Sequence, residues 1–404
     1  MQKKPIMLIM ALLICAVVVF TAGCTDTSSE NATVEILYTG AGTMPGLLAT
    51  GQVDGYICWQ PFVAVATEGG IGKVISYSQD LPPEGMWVNH TCCAFGASST
   101  ALENKEVSAS LTALMNLGNK YVNDYPAKAA SQTADWLFSS QDMTYGNVTV
   151  SSIDVMESSI PTIKFSSEVT DSWLDSNEGF IQSQRELGFL TAKLASTSKT
   201  ESATLLYDFA PYDSAMSQIE TGVFITPAAT STLAIGYLPS DHDAPLFVLL
   251  KDWEYFKDTY NTYLKPVTEK NGKLSDAELY VNGQKVANIK LVEGNGGPQL
   301  MTLLQQNAIQ YAVAGTPPYI SAIDKSTGNM GVKIISPVNI EGSGLVASLS
   351  SPANDWDSFL TWVTDRSAAG DNVVIGDPQL GSIQDVMLKS ALSSSGIDYV
   401  VKSA

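Results

Sequence analysis

Apolar and polar positions of residues 33–95 follow two periodicities in turn. Short apolar runs bounded by glycine, proline and small polar residues predict strands, and apolar positions recurring every three to four residues predict helices. Strands and helices that alternate in this way are typical of parallel α/β units, in which helices cover a buried sheet. The elements predicted here are the strands Val34–Tyr38, Gly55–Trp59 and Lys73–Tyr77 and the helices Pro45–Thr50 and Phe62–Glu68.

The middle of the chain has a different pattern. Helical spacing dominates residues 98–190, and the segment 191–232 that follows is rich in serine and threonine and lacks an apolar period. Such a segment is typical of a linker. The stretch LLYDFAPYDSAMSQIETGVF within it is also compatible with one more helix.

The alternating pattern restarts at Leu233 and continues almost to the end of the chain. No segment duplicates another, so the chain is not a tandem repeat. The strands predicted here are Leu233–Tyr237, Lys290–Glu293, Gln310–Val313, Lys333–Pro337 and Val373–Gly376, and the helices are Pro245–Tyr255, Pro298–Gln306, Tyr319–Lys325, Trp356–Arg366 and Ser382–Ser395.

Charge and composition limit the classes of partner. The 404 residues include 22 Lys and Arg against 41 Asp and Glu, which gives a net charge of −19. A field of this sign repels nucleic acid and anionic lipid, so no nucleic-acid partner is expected. With only two histidines and no metalloprotease, phosphate-loop or nucleophile-elbow motif, the sequence does not favour an enzyme.

The first residues carry a targeting pattern. Two lysines precede the apolar run Ile6–Phe20, which ends in the letters TAGC. This pattern predicts a signal peptide over 1–23, lipid attachment at Cys24 and a polar tether over 24–32. A threonine stands where leucine is more common in this motif, so a simple secreted protein and an uncleaved anchor remain alternatives.

Five blocks of the chain resemble a known family of transport proteins. LAIGYLPSDHDAPLFV, GGPQLMTLLQQNAIQYAVAGTPPYISAI, VKIISPVNIEGSGLVAS and VVIGDPQLGSIQDVMLKSAL resemble successive elements of nitrate/sulfonate/taurine-type (NMT1/THI5-like) substrate-binding proteins of ABC importers. GQVDGYICWQPFVAVATEGGIGKVISYSQDLP resembles a later block of the same family. The resemblance implies an α/β, two-lobed periplasmic-binding-protein-like (type II) fold, with parallel-rich sheets flanked by helices.

The resemblance places these blocks in an unexpected order. In the family, material similar to 233–395 comes first and material similar to 33–190 comes second. The chain therefore resembles a circular permutation whose new ends lie inside the second lobe; a fusion of two incomplete genes is the alternative. The resemblance implies second-lobe parts at 33–97 and 346–404 and a first lobe at 233–345. The segment 98–190 then returns onto the first lobe, and the linker 191–232 joins the old ends, which lie close together in most compact domains.

The resemblance also implies a function. The expected protein is an extracytoplasmic solute-binding lipoprotein of an ABC importer, lipid-anchored to the outer face of the cytoplasmic membrane. It captures a small anionic or zwitterionic solute by lobe closure and delivers it to a membrane permease, without catalysis, cofactor or metal. A cell-surface sensor or scavenger of the same fold and a THI5-like pyrimidine-precursor enzyme are the alternatives.

Candidate ligand contacts lie at helix starts and at the ends of predicted strands. Free N–H groups at a helix start hold anions without a charged side chain, although each such start is also compatible with a simple cap. Trp59 is equally compatible with the core, and His242 with a plain turn or a metal ligand. The predicted ligand-binding residues are Trp59, Gln60, Ser240, His242, Asp243, Thr316, Glu341, Ser343, Gly381 and Ser382.

Three cysteines follow the targeting segment, namely Cys58, Cys92 and Cys93. An odd number with two adjacent members does not form a disulfide framework, so buried small residues are the favoured interpretation. Cys92 and Cys93 match only partly the cysteine cluster that pyrimidine-synthesising relatives carry in a comparable place.

Overall fold

The computed structural model describes residues 32–270, 273–327 and 331–402. The predicted signal peptide, Cys24 and nearly all of the tether lie outside these residues. Ala32–Ala404 forms one compact unit. Within the described ranges, no helix is both long enough and apolar enough to cross a membrane.

Strands occur where the apolar runs predict them, and in a few further places. In chain order they are β1 (Thr33–Tyr38), β2 (Gly55–Trp59), β3 (Gly72–Tyr77), β4 (Cys93–Ser98), β5 (Met143–Tyr145), β6 (Val148–Val150), β7 (Ile163–Phe165), β8 (Leu233–Tyr237), β9 (Thr262–Lys270), β10 (Lys273–Val281), β11 (Gln284–Glu293), β12 (Tyr311–Gly315), β13 (Val332–Pro337), β14 (Asn339–Glu341), β15 (Ser343–Ser348), β16 (Val373–Asp377) and β17 (Asp398–Val401).

The helices follow the same order. They are α1 (Met44–Ala49), α2 (Phe62–Glu68), α3 (Ser99–Leu102), α4 (Lys105–Asp124), α5 (Pro126–Phe138), α6 (Ser152–Ser159), α7 (Asp171–Glu186), α8 (Lys199–Leu206), α9 (Ala210–Thr221), α10 (Ala244–Lys251), α11 (Trp253–Tyr260), α12 (Gly297–Gln305), α13 (Thr316–Lys325), α14 (Trp356–Ala368) and α15 (Ile383–Ser394).

The first sheet, which defines lobe A, has the strand order β17-β1-β16-β2-β15-β3. Its strands run parallel except β15, which is antiparallel to both neighbours. Val34 of β1 lies opposite Val373 of β16, and β17 pairs with the other edge of β1. Both ends of the described chain therefore share one sheet, as the permuted order predicts. The permutation itself stays a prediction.

The second sheet, which defines lobe B, has the strand order β13-β4-β12-β8-β11-β10-β9. Parallel pairing in this sheet links β12 to β8 and β8 to β11. The strands β9, β10 and β11 form an antiparallel meander at one edge. The sequence predicted only the end of β11, because the earlier strands are rich in Lys, Glu and Asn and carry a weak apolar alternation.

Two segments connect the lobes. One runs from β3 to β4, and the other from β13 through β14 to β15. They lie side by side, because the Cys92 amide donates to the Asn339 carbonyl at 3.1 Å and the Glu341 amide donates to the His90 carbonyl at 3.1 Å. Two adjacent crossing segments are the arrangement that hinged two-lobed proteins use.

The lobe boundaries differ from those predicted. Lobe A corresponds to the predicted second lobe and lobe B to the predicted first lobe. The strand β4 belongs to the sheet of lobe B, although 33–97 was assigned to the second lobe. Residues 343–345 of β15 belong to lobe A, although the first lobe was placed at 233–345. Both strands are buried on both faces, so their apolar runs carry no sign of which sheet they join.

The segment 191–232 is not a plain linker. It contains α8, which begins with a capping box at Ser198 and Glu201, and α9, which ends at Gly222 in a left-handed conformation. Helix α9 packs along α4. The apolar positions of α8 are too few to give a helical period, and its cap is the signal that identifies it.

Candidate functional site

A small cavity lies between the lobes, where the carboxyl ends of β2, β8 and β12 face the amino end of β4. Its volume is about 40 Å³, which is room for a few atoms when the lobes are this close together. Open α/β sheets bind their ligands at this edge. The lining residues are Trp59, Cys92, Cys93, Leu238, Ser240, His242, Asp243, Gly297, Gly315, Pro318, Ser382, Ile383 and Gln384.

Three helices begin at the cavity. Gly297 opens α12, Gly315 precedes α13, and Ser382 precedes α15. Ser382 caps its helix by accepting from the Asp385 amide, whereas no side chain of a described residue caps α12 or α13. The start of α12 therefore directs free N–H groups and partial positive charge at the cavity. The first three residues of α13 offer no free N–H, because the Thr316 amide donates to the Cys92 carbonyl at 3.0 Å and the two prolines that follow have none. The start of α13 contributes only its partial positive charge.

Glycine is required at Gly297 because the lobe is tightly packed there. A Cβ atom at this position would lie 2.6 Å from Cγ of Pro318. Bare backbone at the start of α12 lets a ligand approach the amides closely.

His242 is held by acceptors at both ring nitrogens. Its Nε2 lies 2.9 Å from the Gly342 carbonyl, and its Nδ1 lies 3.1 Å from Oδ1 of Asn339. That oxygen is identified as the acceptor, because it also takes the Cys93 amide at 3.1 Å while Nδ2 donates to the His242 carbonyl at 2.7 Å. Burial lowers the imidazole pKa, but the interactions with Cys93, Asp241 and Gly342 outweigh it and raise the pKa above its usual value.

Two buried carboxyl groups flank the histidine. Asp241 accepts from Ser159 Oγ at 2.5 Å, and Asp243 accepts from the Leu238 amide at 2.5 Å. Burial raises the pKa of Asp241 to about 6 and that of Asp243 well above its usual value. Asp243 is the carboxyl group among the residues that line the cavity.

Two polar atoms of the lining have no hydrogen-bond partner among the described residues. They are Nε1 of Trp59 and Oδ1 of Asp243. Buried polar groups are almost always paired, because an unpaired one costs about 1–3 kcal/mol. An indole donor and a carboxyl oxygen at one cavity are therefore ready to bind a ligand that carries both an acceptor and a donor.

Half of the predicted ligand-binding residues line the cavity. These are Trp59, Ser240, His242, Asp243 and Ser382. Ser240 also joins the lobes, since its Oγ donates to the Gln60 carbonyl at 2.8 Å.

The other five predicted residues are engaged elsewhere in the protein. Gln60 binds the Ala64 amide with its side chain, and the Thr316 hydroxyl binds the hydroxyl of Thr91 at 2.9 Å. The Gln60 side chain therefore supports the start of α2 and Thr316 supports a crossing segment, and neither residue lines the cavity. Ser343 accepts from Gln384 at 2.8 Å, so it orients a lining residue without lining the cavity itself.

Glu341 and Gly381 also lie outside the cavity. Glu341 has a positive φ of 62° and pairs with Lys164 at 2.9 Å, beside the crossing segments. The Gly381 amide donates to Asp385 at 2.8 Å, and the residue faces an outer groove along α12 and α13. The start of α15 was the only signal that predicted Gly381 as a ligand contact. In the structure its amide is bound by Asp385, and the residue faces the outer groove instead of the cavity.

Sequence reasoning did not assign eight of the lining residues to the site, namely Cys92, Cys93, Leu238, Gly297, Gly315, Pro318, Ile383 and Gln384. Gly315 and Gln384 carried a usable signal, because each lies within two residues of a predicted contact. Leu238 and Ile383 lie equally close to predicted contacts, but they are apolar residues at element boundaries, so their residue type gave no indication of ligand binding.

Comparison with protein families gives one clear match. The family model described as NMT1-like matches residues 19–138 and 226–403, which is more than half of the chain. The chain belongs to the NMT1-like family. The predicted two-lobed α/β fold is thereby confirmed, and membership of this family implies a solute-binding protein with a small-molecule ligand.

The curated relative of this NMT1-like chain adds little about function. It is an uncharacterized protein of Methanocaldococcus jannaschii, 42% identical over 97 residues, which are 24% of this chain and 64% of the relative. The chain thus spans less than two thirds of that relative. No solved structure matched the chain.

Residues 139–225 lie between the two ranges that the NMT1-like family model matches, and this segment is called the insertion here. The insertion contacts both lobes: Ser159 binds Asp241 of lobe B, and Thr162 accepts from Gln60 of lobe A at 3.1 Å. The segment 98–190 therefore does not pack on the first lobe alone, since its second half also contacts lobe A.

Proposed function

We propose that this NMT1-like protein is the extracytoplasmic solute-binding lipoprotein of an ABC importer. In this proposal it captures a small anionic or zwitterionic organic solute by lobe closure and delivers it to a membrane permease. The observation that carries the solute class is the cavity at which the uncapped start of α12 meets Trp59 and Asp243, each of which has a side-chain atom without a partner among the described residues.

The charge of the protein makes local donors necessary. With 41 acidic against 22 basic residues, the long-range field opposes an anion. Helix-start N–H groups act at short range, within the Debye length of about 8 Å at physiological salt. Salt screens the repulsion from acidic residues beyond that distance, so those residues oppose binding only weakly. The anionic end of the solute then lies at the start of α12, and a donor group of the solute lies at Asp243.

Solute binding is tested by titrating sulfonates, carboxylates, nitrate and pyrimidine precursors while following tryptophan fluorescence. We expect an anionic or zwitterionic compound to change the emission, and Trp59→Phe to remove that change because Trp59 lines the cavity. Gly297→Ala should weaken binding about 10-fold or more, equivalent to about 1.4 kcal/mol, because its Cβ crowds Pro318 and covers the α12 amides.

Gly179→Ala is the matched control for Gly297→Ala. It places a Cβ in α7 at an ordinary 3.8 Å from Met86, at a position outside the cavity lining, and should leave the affinity unchanged. Binding of cationic amines alone, or equal affinities for the two variants, would show that the solute class is wrong.

The membrane anchor has its own test. If Cys24 carries lipid, Cys24→Ser removes the acyl chains that hold the protein on the membrane, of which stable anchoring takes at least two. The variant should therefore be released from washed membranes, with an unchanged melting temperature. Fractionation by immunoblot measures the release, with Cys58→Ser as the control for loss of a thiol. Retention of Cys24→Ser in the membrane fraction would contradict the lipoprotein assignment.

A further inference from the structure

Three metal-binding side chains meet at the wall of the cavity. Cys92 and Cys93 stand at the amino end of β4, and His242 stands in the turn before α10. Their candidate ligand atoms all lie within 4.8 Å of one another, and all three residues are buried. The solute proposal makes no use of the two sulfur atoms.

The distances match those of a metal centre. Nδ1 of His242 lies 3.2 Å from Sγ of Cys92, and the two sulfur atoms are 3.9 Å apart. Zinc bonds of roughly 2.3 Å to sulfur and 2.0–2.1 Å to nitrogen, at tetrahedral angles, place ligand atoms roughly 3.5–3.8 Å apart. A metal ion therefore fits with only small side-chain movements.

The surroundings of His242 suit a metal ligand. Its far nitrogen, Nε2, donates to the Gly342 carbonyl at 2.9 Å. This contact fixes the ring and leaves Nδ1 directed at the sulfur atoms, the outer support that metal-binding histidines commonly have. A bound ion takes the place of the protons on Nδ1 and the two thiols, and Asn339 keeps its hydrogen bond from the Cys93 amide.

We propose that Cys92, Cys93 and His242 bind a thiophilic metal ion of the Zn²⁺ type. Two thiolates and one imidazole are ligands that zinc prefers, and three protein ligands leave a fourth position open. Since all three residues line the cavity, that position faces it. The proposal goes beyond solute capture and does not depend on the identity of the solute.

Cobalt substitution tests the site directly. Full-length protein with Cys15→Ser and Cys24→Ser, which removes the two thiols of the targeting segment, is stripped with a chelator and titrated anaerobically with Co²⁺ under a non-thiol reductant. We expect one equivalent to give the visible bands of tetrahedral cobalt and thiolate charge-transfer absorption in the near ultraviolet. Zn²⁺ should then abolish both.

Substitutions assign the ligands. Cys92→Ser, Cys93→Ser and His242→Gln should each weaken Co²⁺ binding more than about 100-fold, since even loss of an outer-shell contact costs 10–100-fold. Cys58→Ser is the matched control, because Cys58 is an equally buried cysteine that lies in β2 outside the cavity lining. It should leave the spectrum unchanged.

Two outcomes would overturn the metal site. One is a folded protein, checked by its circular dichroism melt, that shows only the weak bands of octahedral cobalt. The other is an equal loss of binding in Cys58→Ser and Cys92→Ser. Solute titrations of the chelator-stripped protein are measured separately, so failure of the metal site and failure of the solute proposal are distinguishable.

Discussion

Replacing Lys389 by methionine should lower the free energy of unfolding by about 3–5 kcal/mol, the usual cost of removing one member of a buried ion pair. Lys389 lies 2.7 Å from Asp385, and both side chains are at most 4% exposed. Its Nζ also donates to the Tyr38 hydroxyl at 2.7 Å, and that hydroxyl donates to Asp385 at 2.7 Å. The substitution leaves Asp385 charged and buried with one partner fewer.

Urea unfolding followed by circular dichroism measures this loss. Lys402→Met is the matched control, because Lys402 pairs with Glu35 at 3.0 Å but is 43% exposed. An exposed pair contributes about 0–1 kcal/mol, so the control should change little. Equal effects of the two substitutions would mean that the Lys389 pair is solvated in solution.

Gly342→Ala should both destabilise the protein and weaken solute binding. Gly342 has a φ of 82°, and a Cβ there would lie 2.7 Å from Cε1 of His242 and 2.7 Å from Cγ1 of Ile163. The left-handed backbone costs a non-glycine residue about 1–2 kcal/mol, and overpacking adds about 1–3 kcal/mol. Because the clash displaces His242 from the cavity wall, we expect a fall in affinity of about 10-fold or more.

Gly370→Ala separates these two costs. Gly370 has a φ of 78°, but a Cβ there meets no described atom within 4 Å. This variant should therefore show the backbone cost alone, with unchanged solute affinity. If Gly342→Ala were no less stable than Gly370→Ala, the packing of His242 against Gly342 would not be as tight as the structure indicates.

Most of the fold could be predicted from local patterns. The bounds of β2 and α2 match the predicted Gly55–Trp59 and Phe62–Glu68, because a compact apolar run and a turn at proline define both. The meander β9–β11 was largely missed, since its strands face solvent on one side and carry many charges. Sheet membership of β4 and β15 depends on long-range pairing, which no local pattern encodes.

The site was predictable only in part. Helix starts and strand ends indicated Ser382, Ser240 and His242, because parallel strands bring these boundaries to one edge. Thr316 and Glu341 come from similar boundaries but are turned toward hydrogen-bond partners of the crossing segments. Adjacent cysteines suggested only burial. Their closeness to His242 could not be predicted, because His242 lies 150 positions further along the chain than Cys92 and only the folded structure brings them together.

The insertion has a consequence for the timing of solute exchange. Within residues 139–225, Ser159 holds the turn of lobe B that carries Asp241, while Thr162 is bound by Gln60 of lobe A. Separating the lobes must break such contacts even when no solute is present. We therefore expect the rate of opening, rather than the contacts of the solute itself, to set the residence time, so that solutes of different affinity leave at similar rates.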